Sequence, residues 1–295
     1  MFETSDAARC GRFRTEDSMN QVSGQPGGMP IFITGSPRSG TSIFILGLKS
    51  ATGIPAFAEG QLLDVYGKIS LAVDRHYTNY AHSAADPRHA IGNISADEVK
   101  QAMASTLLDL SNKVHGGTSW IDKSGGTEML EYIRMLARIG QPFVTFFCYR
   151  RAIENVYSRL KKFPKFDITY HANDWVNIMR AWRQTRALLP VGTWLEIEQK
   201  DIADRPGYVA EGVTQVLKLT PQQKDKMIET FTNQRPQVLA SDEVGRTLTI
   251  NQTGWDADQR AAFRAAVEEE MRIWGFTYDE RYRVPVVQPA AASGA

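Results

Sequence analysis

A short apolar run, Pro30-Ile31-Phe32-Ile33-Thr34, leads straight into Gly35-Ser36-Pro37-Arg38-Ser39-Gly40-Thr41-Ser42, and an apolar helical pattern from Ile43 to Lys49 follows without a break. A strand must feed a tight turn rich in Gly and Pro, and the turn must open a helix that ends near Gly53. In such a junction the backbone N–H groups of the turn converge, and the helix N-terminus adds its partial positive charge. The expectation is an anion cradle. Arg38 supplies a fixed cation inside it, and Thr41 and Ser42 add hydroxyl donors.

The rest of the chain repeats the alternation of strand and helix. Ser95-Ala96-Asp97-Glu98 is a capping box before a helix to about Asn112. Thr118–Ile121 reads as a short strand, and Glu128–Ile139 as a helix closed by Gly140. Phe143–Tyr149 is continuously apolar, as a strand buried on both faces of a parallel sheet must be, and a helix over Ile153–Lys162 follows. Gly192–Ile197 gives a fourth strand, with more expected. Thr220-Pro221 opens a helix to Phe231, and Asp256 to Gln259 caps a last one that runs to Trp274 and stops at Gly275. This pattern predicts an α/β protein with a mainly parallel sheet flanked by helices. Residues 30–285 read as a single domain, between a polar, Gly-rich leader (1–29) and a tail (286–295).

The octet 35–42 has the spacing of a Walker A loop, with Thr41 at the lysine position. A kinase or ATPase normally needs that lysine and Mg²⁺ to neutralise its phosphates. A sulfonate carries less charge, so a metal-free cradle suffices for it. Pro37-Arg38-Ser39-Gly40-Thr41-Ser42 resembles the 5′-phosphosulfate loop of sulfotransferases that use 3′-phosphoadenosine 5′-phosphosulfate (PAPS), in the arginine form of bacterial members. The resemblance implies a P-loop-like fold and a donor held by Ser36, Pro37, Arg38, Ser39, Gly40, Thr41 and Ser42, with no metal.

A second junction matches the same family. Members place an arginine at the end of the central strand and a serine eight residues later, both on the 3′-phosphate; Arg150 and Ser158 have that spacing. The carboxyl end of a parallel strand is also where open α/β sheets bind ligands. Where relatives continue with Asp-Pro or Asn-Pro this chain has Arg151-Ala152, so the role stays open between Arg150 and Arg151. Leu195–Ile202 is similar to the strand and turn that relatives write as Tyr-Glu-Asp-Leu, and Asp204-Arg205-Pro206 leads into a helix as theirs does. Arg246, ahead of Trp255, resembles a late contact to the 3′-phosphate.

Transfer to a hydroxyl needs a base for the acceptor proton and a cation for charge on the bridging oxygen. Glu59, in Ala56-Phe57-Ala58-Glu59-Gly60, stands where several relatives carry a base, framed by apolar neighbours. Lys123, in Asp122-Lys123-Ser124, resembles the element relatives place beside the leaving oxygen. Arg38 completes the catalytic candidates. Competing bases are His76, His82, His89, His115 and His171, and none of their spacings reads as a zinc site. The acceptor is expected between Gln61 and Ser119, with help from Lys161–Tyr170, and is a hydroxyl-bearing small molecule, glycan or lipid. The alternatives are a nucleoside-triphosphate-dependent, kinase-like enzyme and a non-catalytic nucleotide-binding relative.

Composition narrows the partners. Thirty-four basic residues balance 33 acidic ones, so nucleic acid is not an expected partner. Two cysteines do not make a disulfide framework, and Cys148, inside the apolar run, reads as a buried thiol. With no signal peptide and no apolar stretch of about 20 residues, the expectation is a cytoplasmic protein without stable membrane insertion.

Overall fold

The computed structural model describes residues 28–57, 59–234 and 247–284. Four strands form its sheet: β1 (Pro30–Gly35), β2 (Trp120–Lys123), β3 (Val144–Tyr149) and β4 (Trp194–Glu198). All pairings are parallel and the order is β2-β1-β3-β4. No strand beyond the four expected ones occurs among the described residues. The helices are α1 (Thr41–Thr52), α2 (Val65–Asn79), α3 (Ala81–Ala84), α4 (Ala96–Val114), α5 (Thr127–Arg138), α6 (Ala152–Lys162), α7 (Ile168–Arg186), α8 (Gln199–Asp204), α9 (Pro206–Leu217), α10 (Pro221–Asn233) and α11 (Ala257–Ile273).

Alternation along the strands fills two cores. Ile31, Ile33, Val144, Phe146 and Cys148 face the side covered by α1, α9 and α10. Phe32, Phe147 and Tyr149 face the side where Trp120, Tyr132, Trp175, Trp182 and Trp274 pack. Phe147 and Trp182 stack at 4.5 Å with their rings nearly parallel. Burial on both faces explains why β1 and β3 read as unbroken apolar runs. Cys148 is fully buried, and burial pushes its thiol well above the ordinary range.

Several boundaries follow from caps. The boxes at Ser95, Thr220 and Asp256 all form, and Gly53 ends α1 in the left-handed region. Strand β2 begins two residues later than expected. Gly116 and Gly117 both have positive φ, and a turn bond from Thr118 N–H to His115 O keeps 116–119 out of the sheet. The shift places Asp122 and Lys123 inside the strand, with Lys123 opposite Ile33.

Of the expected leader, only Gly28 and Met29 are described. Both are pinned, Gly28 N–H to Gly117 O at 2.6 Å and Met29 N–H to Ser119 Oγ at 3.0 Å. The expected tail lies outside the described residues. Among the described residues no helix is long and apolar enough to cross a membrane.

The order of the strands fixes where a ligand can enter. The chain leaves β1 for β2 on one side, then crosses to β3 on the other, so the carboxyl ends of β1 and β3 part at a topological switch point. The loop 35–42 leaves β1 there, and Arg150 follows β3 there.

Candidate active site

Ser36-Pro37-Arg38-Ser39 is a closed turn: Ser39 N–H donates to Ser36 O at 3.1 Å, and Arg38 has φ 69°. Proline second and positive φ third is the pattern of a type II turn. An arginine in the left-handed region costs about 1–2 kcal/mol, so the surroundings must hold it. They do. Arg38 Nε donates to Ser158 Oγ at 3.0 Å, which joins the two sequence motifs in one place. Gly35 runs so close to β3 that a Cβ would stand 2.0 Å from Cys148 O.

Helix α1 starts at Gly40, in the left-handed region, with no side-chain cap. Its first N–H groups therefore have no side-chain acceptor at the cap, as an anion-binding helix start requires. Thr41 and Ser42 are half-buried at this end. The cation absent from position 41 comes instead from β2: Lys123 Nζ lies 3.3 Å from Ser42 Oγ and 2.5 Å from Glu59 Oε1. Lys123 is buried and Glu59 is half-exposed.

Glu59 rests on the tip of β2. Gly60 N–H donates to Lys123 O at 3.1 Å, and Gln61 N–H donates to Ser124 Oγ at 3.1 Å. Ser124 Oγ in turn donates to Asp122 Oδ1 at 2.7 Å. A Cβ at Gly60 would stand 1.9 Å from Asp122 Oδ2, so the turn lies directly on that carboxylate. Burial pushes the Asp122 carboxyl up to about 6; the Ser124 bond opposes this, and the Asp64 and Glu59 carboxylates add to it. Of the apolar frame expected around Glu59, Phe57 is exposed and Ala58 lies outside the described residues; the partner of Glu59 is Lys123.

Ser36 and Ser39 are fully buried, and their hydroxyls face α6. Ser36 Oγ donates to Asn155 Oδ1 at 3.2 Å, while Asn155 Nδ2 donates to Ser39 Oγ at 3.0 Å and to Pro37 O at 2.9 Å. These side chains anchor the loop. Asn155 is the residue that sequence reasoning missed, and its signal was position: Asn155, Ser158 and Arg159 share one face of α6 by the i, i+3, i+4 rule.

Counting donors distinguishes Arg151 from Arg150. Arg151 is fully buried, and all five of its N–H groups are engaged. Nε meets Glu154 Oε2 at 2.9 Å; Nη1 meets Thr277 O at 3.0 Å and Asp279 O at 2.8 Å. Nη2 meets Glu154 Oε1 and Leu248 O. Tyr282 stacks over the guanidinium at 4.6 Å. Arg151 is a structural knot and cannot also take a ligand. Arg150 is half-buried at the end of β3, and Trp175 Nε1 donates to its carbonyl at 3.0 Å. Arg246 lies outside the described residues.

The histidines fall elsewhere. His76, His82 and His89 are exposed. His115 stacks on Trp120 at 5.1 Å, and burial lowers its pKa. His171 is buried behind α6. Among the described residues no group of three or more His, Cys, Asp or Glu is placed to hold a metal ion.

At the switch point of this parallel sheet, a helix start without a side-chain cap, an arginine in the turn and a lysine from the next strand come together, an arrangement of the strand–loop–helix type that suits an anion. The chain belongs to the sulfotransferase family, whose model matches residues 30–223. It is similar to the sulfotransferase domain from the Synechococcus PCC 7002 olefin synthase, at 15% identity over 91% of this chain and 92% of that one, TM-score 0.46. A sulfotransferase from Mycobacterium tuberculosis matches at 13% identity over 81% and 77%, TM-score 0.45. The sulfotransferase domain from the curacin biosynthetic pathway matches at 13% over 67% and 76%, TM-score 0.42. No match was found among curated proteins.

Proposed function

We propose that this chain transfers a sulfonate group from PAPS to a hydroxyl of a small-molecule, glycan or lipid acceptor. The observation that carries the reading is the position of Lys123 Nζ, between the Ser42 hydroxyl at the start of α1 and the Glu59 carboxylate. A base and a cation thereby meet at the mouth of an anion cradle, the pair that transfer to a hydroxyl requires.

In this reading Arg38, Gly40, Thr41 and Ser42 hold the 5′-phosphosulfate, and Arg150 with Ser158 holds the 3′-phosphate. The Arg38–Ser158 bond spans the two groups of residues, so one side-chain shift adjusts both. Glu59 accepts the acceptor's hydroxyl proton as the new O–S bond forms. Lys123 stabilises negative charge on the phosphate oxygen as the old S–O bond breaks, leaving adenosine 3′,5′-bisphosphate and a sulfate ester. The residues act mainly by positioning and by charge, as in phosphoryl transfer.

The test is a thermal titration with adenosine 3′,5′-bisphosphate in the absence of metal. At about 100-fold above Kd the ligand adds about 2.7 kcal/mol, a rise of several degrees in Tm. Arg150→Ala is expected to weaken the shift, and 5′-AMP to give none. A shift with ATP and Mg²⁺ but none with the bisphosphate sinks the proposal in favour of a nucleoside-triphosphate enzyme. Sulfonate transfer by the wild-type chain would exclude a binding-only role.

A further inference from the structure

Arg159 and His171 take no part in the chemistry above, yet they are among the most buried polar side chains, 4% and 1% exposed. Arg159, on α6, donates in three directions: Nε to His171 Nδ1 at 3.2 Å, Nη1 to Ser36 Oγ at 3.2 Å, and Nη2 to Asp174 Oδ2 at 2.6 Å. His171 Nε2 lies 3.2 Å from Phe163 O. An arginine has donors only, so Nδ1 must offer its lone pair, and Nε2 must carry the proton and donate it to Phe163 O. The contacts therefore require a neutral imidazole in one tautomer.

The same chain of bonds continues into the loop. Ser36 Oγ receives from Arg159 and donates to Asn155, which holds Pro37 O and Ser39 Oγ. Arg159 and Asn155 thus hold three of the turn's four residues, Ser36, Pro37 and Ser39, against α6. We propose that His171 is a positioning residue for the donor loop: its neutral ring fixes Arg159, Arg159 fixes Ser36, and a proton on the ring releases the turn. This rests on reading residues 35–42 as the donor loop.

Protonation would place an Nδ1–H against the Arg159 Nε–H, two donors and two cations face to face, in a site with little access to water. Arg159 must then turn away, and Ser36 loses its donor. The surroundings bias the ring toward the neutral form. Burial lowers its pKa first of all; the bond to Phe163 O opposes this, Arg159 reinforces it, and Asp174 and Asp167 oppose it. Tyr170 and Phe166 close the ring's other sides, at 5.6 Å and 6.0 Å. Asp174 pairs with Arg159 through Nη2, so it balances charge but cannot replace Nδ1 as the acceptor for Nε.

The experiment is an NMR titration of the ligand-free chain from about pH 8 to about pH 5, following the His171 ring nitrogens and the amides of residues 35–42. In the wild type, the Ser36, Arg38 and Gly40 amides should move with the His171 ring, at one midpoint below the ordinary 6.5. In His171→Asn the carboxamide oxygen stands in for Nδ1 and does not titrate, so the same amides should stay flat. Asp174→Asn, at a partly exposed position, should move the wild-type midpoint to lower pH, because that carboxylate favours the imidazolium. Across the same range, affinity for adenosine 3′,5′-bisphosphate should fall about tenfold more in the wild type than in His171→Asn, roughly one hydrogen bond to a charged group. The ligand's own phosphates titrate equally against both chains. Loop amides that titrate alike in both chains, or a ring that takes up its proton while the loop stays still, overturn the proposal. Loss of bisphosphate binding at every pH would sink the donor reading, while the amide titration still decides the brace.

Discussion

Replacing Arg151 by alanine should unfold the protein early without a direct effect on ligand contacts, and replacing Arg150 should do the reverse. Arg151→Ala removes five N–H donors from a site with no exposure. Glu154, only 2% exposed, keeps one backbone partner among the described residues, Leu248 N–H at 2.9 Å. The carbonyls of Leu248, Thr277 and Asp279 each lose a donor as well. Breaking a buried ion pair from one side costs about 3–5 kcal/mol, because a charge is left behind unpaired. At about 2–4 °C per kcal/mol for a chain of this size, Tm should fall by roughly 10 °C. Differential scanning calorimetry with and without adenosine 3′,5′-bisphosphate separates the two arginines. Arg150→Ala should keep its Tm within about 2 °C and lose most of the ligand-induced rise. Arg151→Met combined with Glu154→Leu removes both charges together and should recover much of the loss. If Arg151→Ala melted with the wild type and failed to respond to the bisphosphate, the assignment of the knot and the ligand arginine would be reversed.

Three further expectations concern the chemistry. Glu59→Gln and Lys123→Ala should each lower kcat by roughly 10²–10⁴-fold, and Glu59→Gln should leave bisphosphate affinity near wild type; unchanged turnover removes both from the mechanism. Gly60→Ala pushes the Glu59 turn off Asp122, so turnover should drop while the bisphosphate still raises Tm. Asp122 has a carboxyl raised from 3.8 to about 6, a cost to folding of about 3 kcal/mol that is fully present above pH 6 and relieved as pH falls toward 3.8. Asp122→Asn, which can still accept from Ser124, should therefore be more stable than wild type at pH 8, with the difference closing by about pH 4 in urea melts; an equal pH dependence in the two chains refutes the buried charge.

What the sequence discloses here is chemistry that closes over a short stretch. The octet 35–42 stands out because strand, turn and helix are consecutive, and Arg150 with Ser158 stands out through a family resemblance across the junction of β3 and α6. The direction of a hydroxyl is another matter. The hydroxyls of Ser36 and Ser39 turn toward α6, because Asn155, 119 and 116 residues on, offers the partners that bury them. The register between Arg150 and Arg151 depends on carbonyls at 277 and 279, which no local pattern announces. Glu59 and Lys123 are each readable as candidates, but their pairing spans 64 residues and exists only once β2 lies beside β1. Helix α7 carries a legible stripe, Ile168, Ala172, Trp175, Met179 and Trp182, whose first turn overlaps the Lys161–Tyr170 segment expected to serve the acceptor.

The Arg151 knot also has a timetable. Asp279, which supplies one of its carbonyls, leaves the ribosome 128 residues after the arginine. At about 5–20 residues per second that is a wait of roughly 6–26 s, during which Arg151 and Glu154 sit at the head of α6 without the carbonyls that enclose them. Everything that forms the turn at residues 36–39 has already been made by then. A nascent chain that stops short of residue 277 therefore carries a complete loop on an unfinished foundation, and vectorial synthesis makes the base of the site its last part to close.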